Sequence, residues 1–197
     1  MTQTTPSFPE VLTAPPVDPE LVPDLGTILE VLPRFGGDTP LATLREMTAE
    51  VMSGAEKTDL TAGGRVRVDE RAVPAGEDGV ELALTVLTPA TGPGPWPLVY
   101  HIHGGGMVVG DRFLGLDPLV PYVAEGRAVV ASIEYRLAPE HPDPVPVTDC
   151  YTGLRWCADH AAELRVDPGH LVVTAPAPAA GSPPGPRCWP ATGATRT

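Results

Sequence analysis

The sequence predicts an α/β fold in which helices cover a mostly parallel sheet. Between residues 97 and 174, short runs of branched and aromatic residues alternate with segments of helical periodicity, as in βαβ units. The run from Ala128 to Glu134 is almost continuously apolar, which is typical of a strand buried on both faces of a parallel sheet. At 197 residues, the chain is long enough for one domain with a buried core.

The first elements predicted are two helices that follow a lead-in rich in Thr and Pro. Residues 1–17 carry few apolar side chains and are predicted to be disordered. The pair Asp18–Pro19 is typical of a helix start, with a capping side chain and proline in the first turn. The pair Thr39–Pro40 opens a second helix that ends near Gly54. Residues 18–60 are therefore predicted to form a helical segment.

Two antiparallel strands and three further strands are predicted next, in a domain over residues 61–174. Residues 65–73 and 80–87 alternate apolar and polar side chains on either side of a segment rich in Gly and Pro. Residues 98–102 form the third strand, and the run from Ala128 forms the fourth. The fifth strand, residues 171–174, follows a turn at Asp167, Pro168 and Gly169.

The helices between these strands carry two of the three cysteines. A short helix is predicted at about residues 118–125, capped by Asp117, and a long one at about residues 146–164. The apolar residues of the long helix step by three and four: Val147, Cys150, Leu154, Cys157, Ala161 and Leu164. Both cysteines are therefore predicted core residues, and with Cys188 they show no spacing typical of disulfides or zinc sites.

A glycine cluster follows the third strand directly. His103 precedes Gly104, Gly105 and Gly106, and residues without a Cβ let a ligand approach the backbone N–H groups closely. Three glycines are also typical of an ordinary strand-to-loop turn, but the histidine in front of them favours an oxyanion-binding loop.

A second motif completes a resemblance to a known family. Residues 135–142 read YRLAPEHP and follow the fourth strand. In this order and at this spacing, the two motifs resemble the hormone-sensitive-lipase-like carboxylesterases with the α/β-hydrolase fold. The resemblance spans residues 18–174. It implies the N-terminal portion of that fold: a helical cap segment and the first half of the sheet, cut after the fifth strand.

The resemblance also implies an activity and the roles of several residues. The family hydrolyses carboxylic esters with a serine nucleophile and without a cofactor, here esters of small to medium acyl groups. Gly105 and Gly106 are then the oxyanion-hole residues, supported by His103 and Gly104. Glu140 is implied to be structural or to line the site, whereas as a solitary carboxylate it would be a solvated loop charge.

The nucleophile itself is missing from the expected place. The resemblance implies a Gly-x-Ser-x-Gly turn after the fifth strand, but Ala177 holds the serine position and Pro178 lacks the backbone N–H required beside it. Ser182 lies among prolines and outside any such turn. The acid and the histidine should follow the serine, yet residues 175–197 contain no Asp, Glu or His. We therefore expect this chain to be catalytically inactive as it stands.

The composition of the tail indicates a reading-frame error. Of residues 175–197, 15 of 23 are Ala, Pro or Gly, which GC-rich codons specify when they are read out of frame. A shift of one base permits Gly-Ala-Ser-Ala-Gly in place of residues 175–179. We expect the tail to be out of frame. The alternative is a genuine tail on a non-catalytic ligand-binding or interaction protein that keeps the glycine pocket.

Charge and composition exclude several partners. A net charge of −12 disfavours binding to nucleic acids and anionic membranes. No segment approaches 18 consecutive apolar residues, so no membrane-spanning helix is predicted. His101 and His103 share a face of the third strand, but without nearby ligand spacing they predict no metal site. A cytoplasmic protein with a small acyl ester as its partner is expected, and its oligomeric state is left open.

Overall fold

The computed structural model of the chain describes most of the predicted domain. Its described residues are 18–22, 39–54, 59–76 and 79–175. They fall into two compact units, Met1–Thr39 and Pro40–Thr197. The predicted lead-in, Cys188, and the tail from residue 176 onward, with Ala177, Pro178 and Ser182, lie outside the described residues. The predicted domain boundaries at residues 60 and 61 and at residues 174 and 175 stay predictions.

The first unit shows the predicted helix start. Pro19–Leu21 form a single 3₁₀ turn, and the Asp18 carboxylate accepts a hydrogen bond from the Glu20 N–H at 3.0 Å. Asp18 therefore caps this turn as predicted. The remainder of that predicted helix lies outside the described residues.

The second unit begins with helix α1 (Leu41–Gly54), which follows Thr39 and Pro40 and ends at Gly54 as predicted. One side of this helix is half-buried. The half-buried side chains are Leu41, Leu44, Arg45, Met47 and Thr48. The position of Arg45 on this side of the helix was not predicted, because a periodicity argument counts only apolar residues.

Among the residues that the structure describes, five strands form one mixed sheet. They are β1 (Val66–Ala75), β2 (Val80–Pro89), β3 (Trp96–Ile102), β4 (Val129–Ile133) and β5 (Val166–Thr174). Their spatial order is β1-β2-β4-β3-β5. β2 pairs antiparallel with both β1 and β4, whereas β3 pairs parallel with β4 and β5. The predicted α/β class, with an antiparallel start and a parallel continuation, is confirmed.

Within the described part of the chain, three helices cover the faces of this sheet. They are α2 (Val120–Ala124), α3 (Val145–Asp159) and α4 (Ala161–Leu164). The predicted cap of the short helix is wrong: Asp117 opens a 3₁₀ turn that leads into α2, and its side chain makes no capping bond. Proline is accepted in a first turn, so Pro118 lets the turn start at Asp117.

The predicted long helix is two helices in the structure. The backbone of His160 leaves the helical region at φ −105° and ψ 21°, between α3 and α4. Its ring Nδ1 lies 2.9 Å from the Trp156 carbonyl oxygen, which also accepts the His160 backbone N–H at 3.0 Å. A side chain that binds a backbone group locally competes with the regular helical pattern.

The buried side of α3 differs partly from the predicted seam. Cys157, Ala161 and Leu164 are buried as expected, but Val147 is 42% exposed. Pro146 and Asp149 occupy the buried positions in its place. The prediction that Val147 is buried is therefore wrong. An apolar pattern counts only apolar residues, so it does not include the Asp149 carboxylate, which is buried against a basic side chain.

The core lies on both faces of the sheet. In β4, Val129, Ala131 and Ile133 pack into one cluster. The same cluster also contains Tyr100, Cys157 of α3, and Ala161 and Leu164 of α4. Val130 points to the other face and joins a second cluster beneath α2. This alternation is the two-residue period of a strand buried on both faces, as the apolar run predicted.

β5 starts earlier than predicted and carries an irregularity. The predicted turn lies inside the strand, because Pro97 pairs with Asp167 while Leu98 already pairs with Leu171. The Asp167 carboxylate accepts the Gly169 N–H at 2.8 Å and closes this local turn. Val172 and Val173 are 58% and 47% exposed, as expected for an apolar strand at the edge of the described sheet.

Candidate functional site

The glycine loop leaves β3 in a conformation that requires glycine at one position. Gly105 has φ +118°, and Gly106 and Met107 have φ +62° and +64°. A Cβ added to Gly105 would overlap the carbonyl group of Val109. The loop turns back on itself there, since the N–H groups of Val108 and Val109 both donate to the Gly105 carbonyl oxygen at 3.1 Å.

The N–H groups of Gly105 and Gly106 are available to a ligand. Over residues 79–175, neither group donates a hydrogen bond to the backbone or to a side chain. Gly104 is buried, Gly105 is half-buried and Gly106 is exposed, so the loop rises from the core to the surface. Two adjacent unpaired donors at such a place are what an oxyanion hole requires.

The YRLAPEHP segment packs directly against this loop. The Tyr135 hydroxyl donates to the His103 carbonyl oxygen at 2.9 Å, and the two rings stack with centroids 4.1 Å apart. Burial raises the pKa of Tyr135, which keeps the hydroxyl protonated as a donor. The Ala138 N–H donates to the Met107 carbonyl oxygen at 2.9 Å. The two sequence motifs therefore form one structural unit.

A buried ion pair anchors this segment to α3. The Arg136 guanidinium contacts both carboxylate oxygens of Asp149, with Nε at 2.8 Å and Nη2 at 2.7 Å. The Arg136 backbone N–H adds a third bond at 3.1 Å. The Asp149 side chain is only 1% exposed, so both of its oxygens depend on these partners. Sequence reasoning missed this pair.

A second arginine joins α1 to both motifs. Arg45 donates to the carbonyl oxygens of Val108 and Ala138, each at 2.9 Å, and to both oxygens of Glu140 at 2.7 and 2.8 Å. Glu140 is therefore ion-paired, and its interpretation as a solvated loop charge is wrong. The hydrogen bonds from Arg45 lower the pKa of Glu140 to about 2. The sequence contains one signal for these contacts: Arg45 is a basic residue four positions after Leu41, on the apolar side of the helix.

The comparisons with known proteins agree with this geometry. A family model described as alpha/beta hydrolase fold matches residues 99–174, which include both motifs. Carboxylesterase NlhH of Mycobacterium tuberculosis is 33% identical over 165 residues. The chain belongs to the hormone-sensitive-lipase-like α/β-hydrolase family.

Solved structures of α/β-hydrolases superpose on the chain. A bacterial heroin esterase is 34% identical with a TM-score of 0.65, and its match covers 78% of this chain and 47% of that protein. An esterase of Pyrobaculum calidifontis is 30% identical with a TM-score of 0.61, and covers 81% and 48%. The match to NlhH covers 79% of this chain and 47% of NlhH. The chain spans about half the length of the curated relatives it matches.

Two buried histidines surround the start of the α/β-hydrolase glycine loop. The ring of His101 bonds through Nε2 to the Leu114 carbonyl oxygen at 2.9 Å, and that of His103 through Nδ1 to the Gly104 carbonyl oxygen at 2.8 Å. The second ring nitrogen of each histidine has no partner within the described part of the chain. Protonation would leave a buried N–H without an acceptor, and burial lowers the pKa of both histidines.

These histidines predict a loss of stability on mild acidification. Above the usual histidine pKa of about 6.5, both are neutral in the folded and unfolded chain. Below this pH, both histidines are protonated in the unfolded chain but stay neutral in the folded chain. The free energy of unfolding therefore falls by up to about 1.4 kcal/mol per pH unit for each histidine. Urea unfolding at pH 7.5, 6.5 and 5.5 measures this slope. A constant stability between pH 6.5 and 5.5 would contradict the prediction.

The remaining candidate residues have no catalytic environment in the described structure. Cys157 is buried and Cys150 half-buried, and burial raises the pKa of each thiol to about 12, so both are core residues as predicted. Among the described residues, no group of three or more His, Cys, Asp or Glu side chains could hold a metal ion. None of the described helices has both the length and the apolar character that crossing a membrane requires.

Proposed function

We propose that the chain carries the oxyanion-binding half of a serine carboxylic ester hydrolase that acts on esters of small to medium acyl groups. The observation that supports it is the pair of N–H groups at Gly105 and Gly106, which find no acceptor among residues 79–175. They lie on a loop to which the second motif donates two hydrogen bonds, from the Tyr135 hydroxyl and the Ala138 N–H. The similarity to a carboxylesterase and a heroin esterase supports an acyl ester as substrate.

The proposed chemistry follows from the position of these donors. When a nucleophile attacks an ester carbonyl, the carbonyl oxygen becomes negatively charged. Two fixed N–H groups stabilise that charge without reorganisation, and one such donor contributes about 10²–10³ in rate. Positive φ values at Gly105, Gly106 and Met107 turn this stretch of backbone out of the strand direction. The proposal requires no cofactor, because acyl transfer to serine and then to water needs none.

The proposal also includes the inactivity of this particular chain. Alanine at position 177 has no atom that could attack, and Pro178 has no N–H to complete the oxyanion hole. We propose a frame error after Thr174, because a one-base shift permits a serine at position 177 between small residues. The contrasting interpretation, a ligand-binding protein, has no observation in its favour among the described residues.

Sequencing the genomic DNA across the codons for residues 172–187 tests the frame error. A missing or extra base is expected, and the corrected frame should encode a Gly-x-Ser-x-Gly turn with an acid and a histidine downstream. An unchanged frame would refute the frame error.

Hydrolysis of p-nitrophenyl butyrate then tests the activity. The corrected full-length protein is expected to turn the ester over, while the 197-residue chain and its Ala177→Ser variant are not. The variant is the matched control, since it restores the attacking atom but neither the N–H at position 178 nor the two partners. A corrected protein that hydrolyses no p-nitrophenyl ester would refute the proposed activity, and turnover by the 197-residue chain would refute its inactivity.

Partners and location remain part of the same proposal. A net charge of −12 supports the exclusion of nucleic acids and anionic membrane surfaces, because phosphate groups would repel the protein. The cytoplasmic location stays a prediction.

A further inference from the structure

Arg45 connects three separate segments of the second unit. It lies on α1, and its guanidinium reaches the carbonyl oxygen of Val108 in the glycine loop and that of Ala138 in the second motif, each at 2.9 Å. The same group binds both carboxylate oxygens of Glu140. Val108 and Ala138 are 63 and 93 residues away from Arg45 in the sequence, so only the folded chain brings them together.

These contacts act on the segment that shapes the glycine loop. The Val108 N–H is one of the two that donate to the Gly105 carbonyl oxygen and close the turn. Met107, one residue earlier, accepts the Ala138 N–H at 2.9 Å. The outer side of the loop is therefore held from α1 through Arg45 and from the second motif through Ala138. Release of Arg45 would remove one of these two attachments.

The carbonyl contacts, rather than the ion pair alone, give Arg45 this role. The side chains of Arg45 and Glu140 are 33% and 55% exposed, and water screens ion pairs at such positions. The planar guanidinium presents its donors in a fixed fork, so it can bind two carbonyl oxygens and a carboxylate at the same time. Glu140 orients the fork, and hydrogen bonds from Arg45 keep that carboxyl ionised by lowering its pKa to about 2.

We propose that Arg45 is a positioning residue that couples the docking of α1 to the shape of the glycine loop. With Arg45 in place, the loop keeps the backbone conformation observed at Gly105 and Gly106. When α1 moves away, the attachment at Val108 is lost and the loop loosens. The coupling itself is independent of the reaction, and only its use for an acyl ester rests on the proposed function.

Hydrogen exchange on the 197-residue chain tests the coupling. In Arg45→Met, the amides of Val108, Val109 and Ala138 are expected to exchange at least tenfold faster, while the β3 and β4 amides keep their rates. Arg155→Met is the matched control, because Arg155 is 63% exposed and only reaches Asp159 at 4.0 Å. It should change none of these amides. Unchanged loop amides in Arg45→Met, or an equal acceleration in the loop and the sheet, would overturn the proposal.

Two further variants separate the carbonyl contacts from the ion pair. Glu140→Gln keeps the Arg45 donors and is expected to accelerate the loop amides less than threefold. The exchanged pair Arg45→Glu with Glu140→Arg restores opposite charges, but a carboxylate cannot donate to the Val108 and Ala138 carbonyl oxygens. Fast exchange should therefore persist in the double variant. Full rescue by the exchanged charges would overturn the role of the carbonyl contacts.

These measurements are independent of ester hydrolysis. They use the chain without substrate, so a corrected protein that hydrolyses no ester would refute the proposed function and leave the coupling standing. Unchanged exchange in Arg45→Met would refute the coupling and leave the proposed function standing.

Discussion

Arg136→Met is expected to lower the free energy of unfolding by about 3–5 kcal/mol, the usual cost of removing one partner from a buried ion pair. The variant leaves the Asp149 carboxylate, 1% exposed, without the guanidinium that contacts both of its oxygens. The bond from the Arg136 backbone N–H remains, but one bond does not replace three. Since a domain of this size has a total stability of about 5–15 kcal/mol, the loss would be a large share of it.

Urea unfolding of three variants measures this effect. Arg136→Met with Asp149→Leu removes both charges and is expected to recover most of the loss, because a buried pair can be replaced by apolar residues at little cost. Arg155→Met breaks an exposed pair and should cost no more than about 1 kcal/mol. If Arg136→Met cost no more than Arg155→Met, the buried pair would not stabilise the fold.

The strands could be predicted because their signal is local. β4 is apolar at every position except Ser132 and is buried at every position. β1 is buried at Val66, Val73 and Ala75 and has more exposed positions between them, whereas β2 is buried at every position from Leu84 to Pro89. Such patterns depend on neighbours two residues apart. They are visible in the sequence before any tertiary contact is known.

Three errors in the predicted fold lie at polar side chains that form a hydrogen bond or an ion pair. Asp149 belongs to the buried side of α3, whereas the apolar pattern assigned Val147 to it. His160 ends α3 through a bond from its own ring, although its neighbours continue the helical spacing. In β5, Asp167 closes a turn inside the strand. In each case the polar side chain bonds to a group at the point of difference, and hydrophobic periodicity carries no information on such a partner.

Some residues of the candidate site could be found from a local sequence pattern, and others are brought together only by the fold. The histidine and glycine residues of the loop stand next to one another in the sequence, so the motif could be found without a structure. Arg45 and Glu140 are 95 residues apart, and neither belongs to a local pattern that requires the other. A family resemblance marks Glu140 as structural or site-lining, but only the fold shows that its partner comes from α1.

Gly105→Ala is expected to destabilise the chain by about 2–6 kcal/mol, whereas Gly106→Ala should cost about 1–2 kcal/mol. At Gly105, φ is +118° and the new methyl group would overlap the Val109 carbonyl, so both strain and overpacking oppose alanine. At Gly106, φ is +62° and the nearest atom to a new Cβ, Val108 Cγ2, is 3.9 Å away. Both substitutions therefore add one methyl group, but only the methyl group at position 105 overlaps neighbouring atoms.

Urea unfolding combined with hydrogen exchange distinguishes the two ways in which the Gly105 variant can respond. If the loop keeps its shape, the strain appears as lost stability. If the loop moves to avoid Val109, part of the strain is relieved, but the Val108 and Val109 amides lose their bonds to the Gly105 carbonyl oxygen and exchange faster. Equal stability and equal exchange in the two glycine variants would show that the loop does not depend on Gly105. Either expected response shows that the backbone conformation of the loop around the Gly105 and Gly106 N–H groups depends on glycine at position 105.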